Sequence, residues 1–575
     1  SVKDTTQTSD AGVAENVLLG GAGTEANPYL IGDALDFAAV NRANVAENTY
    51  FELAASITIE TSRAGQTGFE FNGILDGKGR TITLSNSNCG AIYKVGAKGY
   101  VHNVGVAGSV STSLYDSIGS IADFNAGKVE KINTTAKVES TAGLAGANGL
   151  ENALNESLAD GEGKRGIAGG VVGTNLAGGT VYNCKIVTSD SSTGTVKACI
   201  AGGTIVGLNY GTIELCTSNG CFGAWNSTES GGKSLSNYSY GGGIAGINAG
   251  TVTKCFVEGS AKLLSQRYED AAMGDAASGT NNSNFGGIVG YNMANAKVSE
   301  CYFAGIRVHA DENVGGIAGL NGGSISDCYV EGEYRSTKIL SYVGGRKNVG
   351  GIVGKSEATG SVKNCFVTAN VFAFTEGSAY AVAEKADNCV YLSANPNTKS
   401  VDTNPAAVAL IAPVGSNNVA VSVTAGSYDG QADVAFLLAD SYLATVNGNS
   451  KFVFNGTTIR LACEGETLPE QTIDIVIVAD GKESSATVAE TGAPINAPAK
   501  SGYKFVGWAV KEGGEIVFDA SKPISMYDLQ DYKDAAGTIK LYAVYEERAA
   551  SAEGTVSIAV WTKNGDWVTA DELAA

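Results

Sequence analysis

One short phrase of apolar and polar positions keeps returning along the chain. Two glycines are followed by two apolar residues, a third glycine, any residue, and an asparagine. A turn comes next, then a run of alternating apolar and polar residues that ends on cysteine and an aromatic or apolar residue. It reads Gly242-Gly243-Ile244-Ala245-Gly246-Ile247-Asn248, then Thr251-Val252-Thr253-Lys254-Cys255-Phe256-Val257. It stands again at Gly169 to Asn175 with Cys184, Gly286 to Asn292 with Cys301, Gly315 to Asn321 with Cys328, and Gly350 to Gly354 with Cys365. Gly203 to Asn209 with Cys216 is looser, Gly119 to Asn125 with Val129 and Ile132 lacks the cysteine, and Gly377 to Cys389 reads as a decayed last copy. The starts at Gly286, Gly315 and Gly350 are 29 and 35 residues apart, and other intervals carry polar, Gly-rich inserts such as Ser265 to Ser283. A fixed phrase with a variable period means one constant face and one that tolerates insertion.

The alternation in Thr251 to Val257 is the period of a strand, and Asn248-Ala249-Gly250 is turn chemistry. Each copy therefore predicts two short strands and a turn, with room for a third strand in the variable segment. Val, Ile and Thr fill the strands. Such a unit cannot bury its apolar face alone and must stack on its neighbours. The prediction is an all-β fold, a right-handed parallel β-helix, its hand following from the crossover preference of parallel strands. Glycines at every rung would let the coil corner sharply. An asparagine at the same corner of each rung would bond those above and below. Asn125, Asn175, Asn209, Asn248, Asn292 and Asn321 would form that ladder, which Ser356 breaks. About ten rungs at about 4.8 Å each would make a rod near 50 Å long.

Residues 1–25 read as an N-terminal tail, starting Ser1-Val2-Lys3-Asp4 as a mature or trimmed end would. Residues 26–395 read as the β-helix, capped by a helix over Asp33 to Ala46. Residues 396–470 read as its C-terminal cap, because open strand edges must be covered. That segment holds a helical spacing at Gln431 to Ala439 and a hairpin at Lys451 to Leu461 with Asn455-Gly456 at its tip. Residues 472–548 form a separate module with strands at Thr472 to Val478, Gly502 to Trp508 and Ile539 to Tyr545, in which Tyr503, Phe505 and Trp508 read as core. Residues 549–575 read as the start of a further β element or linker; the strand Thr555 to Trp561 has no obvious partner, so a longer protein is expected.

The repeated phrase resembles the GLUG motif of bacterial surface proteins. So do the lead-ins Gly23-Thr24-Glu25-Ala26-Asn27-Pro28-Tyr29-Leu30-Ile31 and Phe71-Asn72-Gly73-Ile74-Leu75-Asp76-Gly77-Lys78-Gly79-Arg80-Thr81-Ile82, and the resemblance runs over about residues 20–395. The module at 472–548 is similar to the internalin-type B-repeat (Listeria-Bacteroides repeat), a small β-grasp-like unit, with Tyr545 where that family closes on Trp. These resemblances imply an extracellular, cell-surface protein.

Composition narrows the function. Glycine, at 77 of 575 residues, is about twice its usual share and follows no collagen period. A formal charge of −20 without a basic cluster argues against nucleic acid and anionic membranes. The longest apolar runs are too short to span a bilayer, so no membrane insertion is expected. Of 11 cysteines, seven hold the repeat position: Cys184, Cys216, Cys255, Cys301, Cys328, Cys365 and Cys389. They predict a column of small buried thiols, since no C-x2-C pair supports zinc; Cys199 and Cys221 are a conceivable disulfide.

Two histidines leave little for metal or relay chemistry, and His102 and His309 read as surface strand residues. No HExxH, GxSxG, P-loop or EF-hand loop occurs. Asp76, Glu130, Glu214, Glu300, Asp327 and Glu331 read as a solvated face. An ice-binding surface would need Thr-x-Thr on every rung, and only Thr81-Ile82-Thr83 and Thr251-Val252-Thr253 qualify. The segment Cys221 to Tyr240 places Trp225, Tyr238 and Tyr240 among small polar residues, the pattern of a glycan or protein grip. The expectation is a monomeric, non-catalytic, adhesin-like surface protein with no cofactor or metal, binding a host or neighbouring-cell glycan or protein. The alternative is a β-helix polysaccharide lyase or glycoside hydrolase whose carboxylates meet only in three dimensions.

Overall fold

The computed structural model describes residues 20–113, 117–140, 166–186, 195–198, 200–220, 222–224, 238–258, 262–264, 282–331, 342–373, 377–396, 410–426, 452–454, 459–461, 472–489, 493–524, 526–529, 532–534, 537–547, 559–561 and 567–569. The chain divides into two compact units, Ser1–Glu464 and Gly465–Ala575.

The first unit is a parallel β-helix, as the phrase predicts. A full rung holds five short strands rather than two or three. One runs Tyr238–Gly242, Ala245–Asn248, Thr251–Thr253, Phe256–Glu258 and Lys262–Leu264. Each strand pairs in parallel with its counterparts one rung away, as in Thr212↔Thr251↔Lys297. Among the described residues, the first strands form an 8-stranded sheet, the second another 8-stranded sheet and the third an 11-stranded sheet.

The extra strand arises at the glycines, which fold what reads as one strand into two. The third glycine of each phrase lies flat on the first strand of the rung before it. A Cβ on Gly246 would stand 2.5 Å from the Gly202 amide nitrogen, and one on Gly290 would stand 2.6 Å from that of Gly241. Only glycine permits this backbone approach.

Inside the coil the repeat positions become columns. Val129, Val181, Ile213, Val252, Val298 and Ile325 are buried in register. The seven repeat cysteines and Cys89 are buried free thiols; Cys199, Cys221 and Cys463 lie outside the described residues. Burial, with Asp123 adding to it, pushes the Cys89 thiol up to about 12. The asparagine ladder is present, with each Nδ2 donating to the next Oδ1 from Asn125 through Asn175, Asn209, Asn248 and Asn292 to Asn321 at 2.8–2.9 Å. It starts below Val95 and ends at Ser356, which occupies the next register position.

The residue before each column cysteine is left-handed, including Asn183 (φ 50°), Leu215 (55°), Lys254 (52°), Glu300 (54°) and Asp327 (54°). This single residue turns the chain from the third strand into the fourth.

At the N-terminus a helix spans Ala34–Asn41, and Asp33 caps it by accepting from the Leu35 and Asp36 amides. It buries Phe37 and Val40 in the coil's core. It ends before Ala46 because Val45 is taken into the ladder, bridging to Phe71 and on to Val95. Parallel pairing continues past residue 395, to Val419–Val421 on Val390–Leu392. The hairpin Phe452–Phe454 with Ile459–Leu461 forms, whereas the helical spacing at 431–439 lies outside the described residues.

The second unit carries a five-stranded sheet in the order Lys482–Ala489, Thr472–Ala479, Lys540–Glu547, Tyr503–Ala509, Phe518–Asp519. The two central strands run parallel and the rest antiparallel, a β-grasp order. Trp508 is fully buried and donates Nε1–H to the Ile495 carbonyl at 3.0 Å. Phe505 packs edge-on against it, while Tyr503 stays half-buried. Ala559–Trp561 does have a partner, the antiparallel Trp567–Thr569.

Candidate binding cleft on the first rungs

The third-strand sheet turns one residue in three into the core and two toward solvent. In the early rungs the inward residues are Leu75, Val101, Val129 and Val181. Outward, the register lines up Glu52, Asp76, His102, Glu130, Tyr182 and Glu214 in one column. Ile74, Tyr100, Lys128 and Thr180 stand beside them. Carboxylates that the sequence scatters over 160 residues thus share one face.

Each acid on this face is answered by a cation or a donor. Lys78 Nζ lies 3.4 Å from Glu52 and 3.2 Å from Asp76. Asn103 Nδ2 donates to Asp76 at 3.3 Å. Glu130 accepts from the Tyr100 hydroxyl at 2.6 Å, pairs with Lys128, and has Lys131 at 3.7 Å. Tyr100 stacks on His102 at 4.3 Å, and the Lys128 ammonium sits over the Tyr100 and Tyr182 rings. Burial raises the Asp76 carboxyl, but hydrogen bonds from Lys78 and Asn103 outweigh it and hold it below its ordinary value. Glu130 is likewise lowered, its bonds to Lys128 and Tyr100 outweighing burial. Burial and the bond to Glu130 push Tyr100 up, and burial lowers His102 against the pull of Asp76.

Around the next corner the surface falls into a cleft of about 620 Å³. Its rim is built from left-handed residues: Lys78 (φ 50°), Asn103 (55°), Lys131 (51°) and Asn183 (50°). Its floor lies on the fourth strands, where Thr81 pairs with Gly105 and Gly105 with Asn133. The hollow lies where Gly105, in register between Thr81 and Asn133, and Ala107, in register with Thr83, carry almost no side chain. Among the lining residues the charged ones are the two lysines, and the rest of the polar surface is amide and hydroxyl. Among the described residues no group of three or more His, Cys, Asp or Glu is arranged to hold a metal ion.

Of the aromatic residues singled out from sequence, Tyr238 and Tyr240 lie elsewhere. Trp225 is outside the described residues. Tyr238 opens a first strand, paired with Asn282. Tyr240 is 3% exposed, packed with Ile247 and Leu208 and stacked on Tyr291 at 5.9 Å. The fold at the glycines presses first and second strands together there, so the ring has no open face for a ligand. Glu331 and His309 are also not solvated, at 1% and 2% exposed. His309 Nδ1 is 2.9 Å from the Tyr342 hydroxyl, and burial and Arg307 lower its pKa to about 3. Glu130 too is largely buried, under its lysine and tyrosine partners.

Sequence reasoning passed over Lys78, Lys131, Asn103 and Asn133. One signal pointed to the corner: Asn or Asp directly before the column cysteine, as in Asn183-Cys184, Asp327-Cys328, Asn364-Cys365 and Asn388-Cys389. Residues tolerant of positive φ at a fixed place mark a turn whose side chains point outward.

Comparison with known proteins agrees with the repeat. The GLUG motif matches residues 310–334 and 345–371. A segment of 177 residues is 30% identical to halomucin of Haloquadratum walsbyi, covering 27% of this chain and 2% of halomucin's length. No solved structure matches the chain. The motif and the similarity to halomucin point to a surface-associated protein.

Proposed function

We propose that this chain is an extracellular binding protein of the cell surface, adhesin-like and non-catalytic, whose β-helix presents a ligand site on its first rungs. The observation that carries this reading is the cleft at Lys78, Asn103, Lys131 and Asn133, which is rich in fixed donors and lacks a group tuned for proton transfer. General acid–base work wants a group poised near the working pH. Here Asp76 and Glu130 are held low and Tyr100 high. Fixed donors in a preformed hollow suit recognition.

One observation favours the enzymatic alternative. Asp76 and Glu130 share a column two rungs apart, about 10 Å by strand spacing, close to the carboxylate separation of inverting glycosidases. That chemistry needs one carboxyl kept protonated, and both are stabilised as anions. The two readings separate in one experiment. The purified chain is applied to a glycan and protein array, and incubated in parallel with a polysaccharide panel while new reducing ends and unsaturated products are measured. Binding without product release is expected. Product release that Glu130→Gln or Asp76→Asn abolishes would sink the binding reading, as would an array with no reproducible ligand.

A further inference from the structure

We infer that the cleft on the first rungs takes an anionic saccharide, a chain bearing carboxylate or sulfate groups, laid along the rungs between Lys78 and Lys131. This rests on the binding role proposed above and names its ligand class. Three observations lead to it.

The first is charge. In a chain of formal charge −20, the charged residues lining the cleft are both lysines. Their acidic neighbours Asp76, Glu52 and Glu130 stand on the other side of the corner, on the third-strand face. The carboxylates of those ion pairs are mostly covered, Asp76 at 23% and Glu130 at 10% exposed, whereas the Lys78 and Lys131 side chains are 46% and 53% exposed and open to a ligand.

The second is the rest of the lining. Thr81, Asn133 and Asn183 offer amides and hydroxyls that both donate and accept. A polyhydroxylated ligand matches that mixture, and the apolar part of the lining suits the C–H faces of its rings.

The third is shape. The lining residues come from four successive rungs, beginning at Lys78, Asn103, Lys131 and Asn183. Three rung spacings are about 14 Å, a track for several sugar rings rather than one. The lysines stand two rungs apart, about 10 Å, so they meet charges on separate rings, as a chain with an acid on each ring or on alternate rings provides. The left-handed corner, which any rung must make, holds both lysines without a loop that has to be ordered on binding.

The test uses the full chain and titration calorimetry at low salt. The probes are a galacturonate hexamer, its carboxyl-reduced neutral counterpart, a heparin-derived hexasaccharide and a short single-stranded DNA. At least one acidic saccharide should bind, at least tenfold tighter than the neutral oligomer and than the DNA, and more weakly as salt rises. Lys78→Gln with Lys131→Gln should weaken it at least tenfold. Ala107→Tyr, which fills the hollow without touching charge, should do the same. Circular dichroism melts matching the parent show that both variants fold. Equal binding of acidic and neutral oligomers would overturn the inference, as would DNA binding as tightly as the saccharides. If acidic saccharides bind but neither variant matters, the cleft is wrong and the binding role stands. If neither acidic oligomer binds, the ligand class is wrong, and the array decides separately whether the chain binds anything.

Discussion

Asn248 is the position where the asparagine ladder should yield its full energetic weight. Its Nδ2 donates to Asn292 Oδ1 at 2.9 Å, to the Lys297 carbonyl at 3.1 Å and to the Gly250 carbonyl at 3.3 Å. Its Oδ1 accepts from Asn209 Nδ2 at 2.8 Å and from the Gly250 amide at 3.2 Å. Asn248→Ala removes all five. Asn209 Nδ2 keeps carbonyl acceptors on Gly211 and Thr251. Asn292 Oδ1 loses its ladder donor and the Gly250 amide its side-chain acceptor. Two stranded groups at about 1–3 kcal/mol each predict a loss of about 3 kcal/mol. Asn321→Ala, at the ladder's end above Ser356, strands less: Asn292 Nδ2 retains the Ser324 carbonyl, and the expected loss is about 1 kcal/mol. Urea unfolding at unchanged m-value measures both, with amide exchange of Thr251–Thr253 reporting the rung itself, since stacked repeats can open in parts. Asn248→Asp adds a sign. Burial would raise the folded carboxyl above its unfolded value of about 3.9, so the variant is least harmed below about pH 4 and loses stability as pH rises. A loss under about 1 kcal/mol for Asn248→Ala, or losses equal to those of Asn321→Ala, would show that the ladder contributes nothing beyond its backbone.

Three further outcomes follow from the same geometry. Gly246→Ala should cost more than about 3 kcal/mol or prevent folding, because its Cβ meets backbone of the preceding rung; Gly178→Ala, with open space around it and φ of 83°, should cost only about 1 kcal/mol, and equal effects in thermal melts would refute the close approach. Leu215→Asn should stabilise by about 1 kcal/mol, because Leu215 occupies the left-handed corner (φ 55°) that asparagine fills more readily; an unchanged melting temperature would mean the corner is unstrained. His309, buried with a pKa lowered to about 3, is neutral in the fold and charged below about 6.5 when unfolded. It therefore contributes stability above about pH 6.5 that is lost as pH falls toward about 3, at roughly 1.4 kcal/mol per pH unit. His309→Gln should flatten that acid limb, and identical stability–pH curves for variant and parent would remove the argument.

What could be read without coordinates was whatever repeats. The asparagines, the column cysteines and the glycine triplets recur at fixed offsets within the phrase. In a parallel coil a residue's vertical neighbour is its own counterpart one rung away, so Asn209, Asn248 and Asn292 had to meet if the copies stacked at all. Strict alternation, however, sets Val252 and Cys255 on opposite faces, whereas both are buried, because the left-handed Lys254 turns the chain between them. The stacking logic failed where a contact joins strands at different places in the phrase. Nothing in the phrase said that Gly242 ends one strand and Ala245 begins another, or that the resulting fold would bury Tyr240 against Tyr291. Nor did alternation reveal that the outward residues Glu331 and His309 are covered.

The chain's sequence alone determined the β-helix, its interior columns and the corner at which each rung turns, because those follow from local conformation repeated in register. Only the tertiary structure decided where a ligand could sit. The cleft depends on departures from the repeat, with Gly105 small between Thr81 and Asn133, Ala107 small beside Thr83, and Lys78 and Lys131 at left-handed corners two rungs apart. Which departures become neighbours is set by the lengths of the segments between rungs, and those lengths vary where the phrase does not.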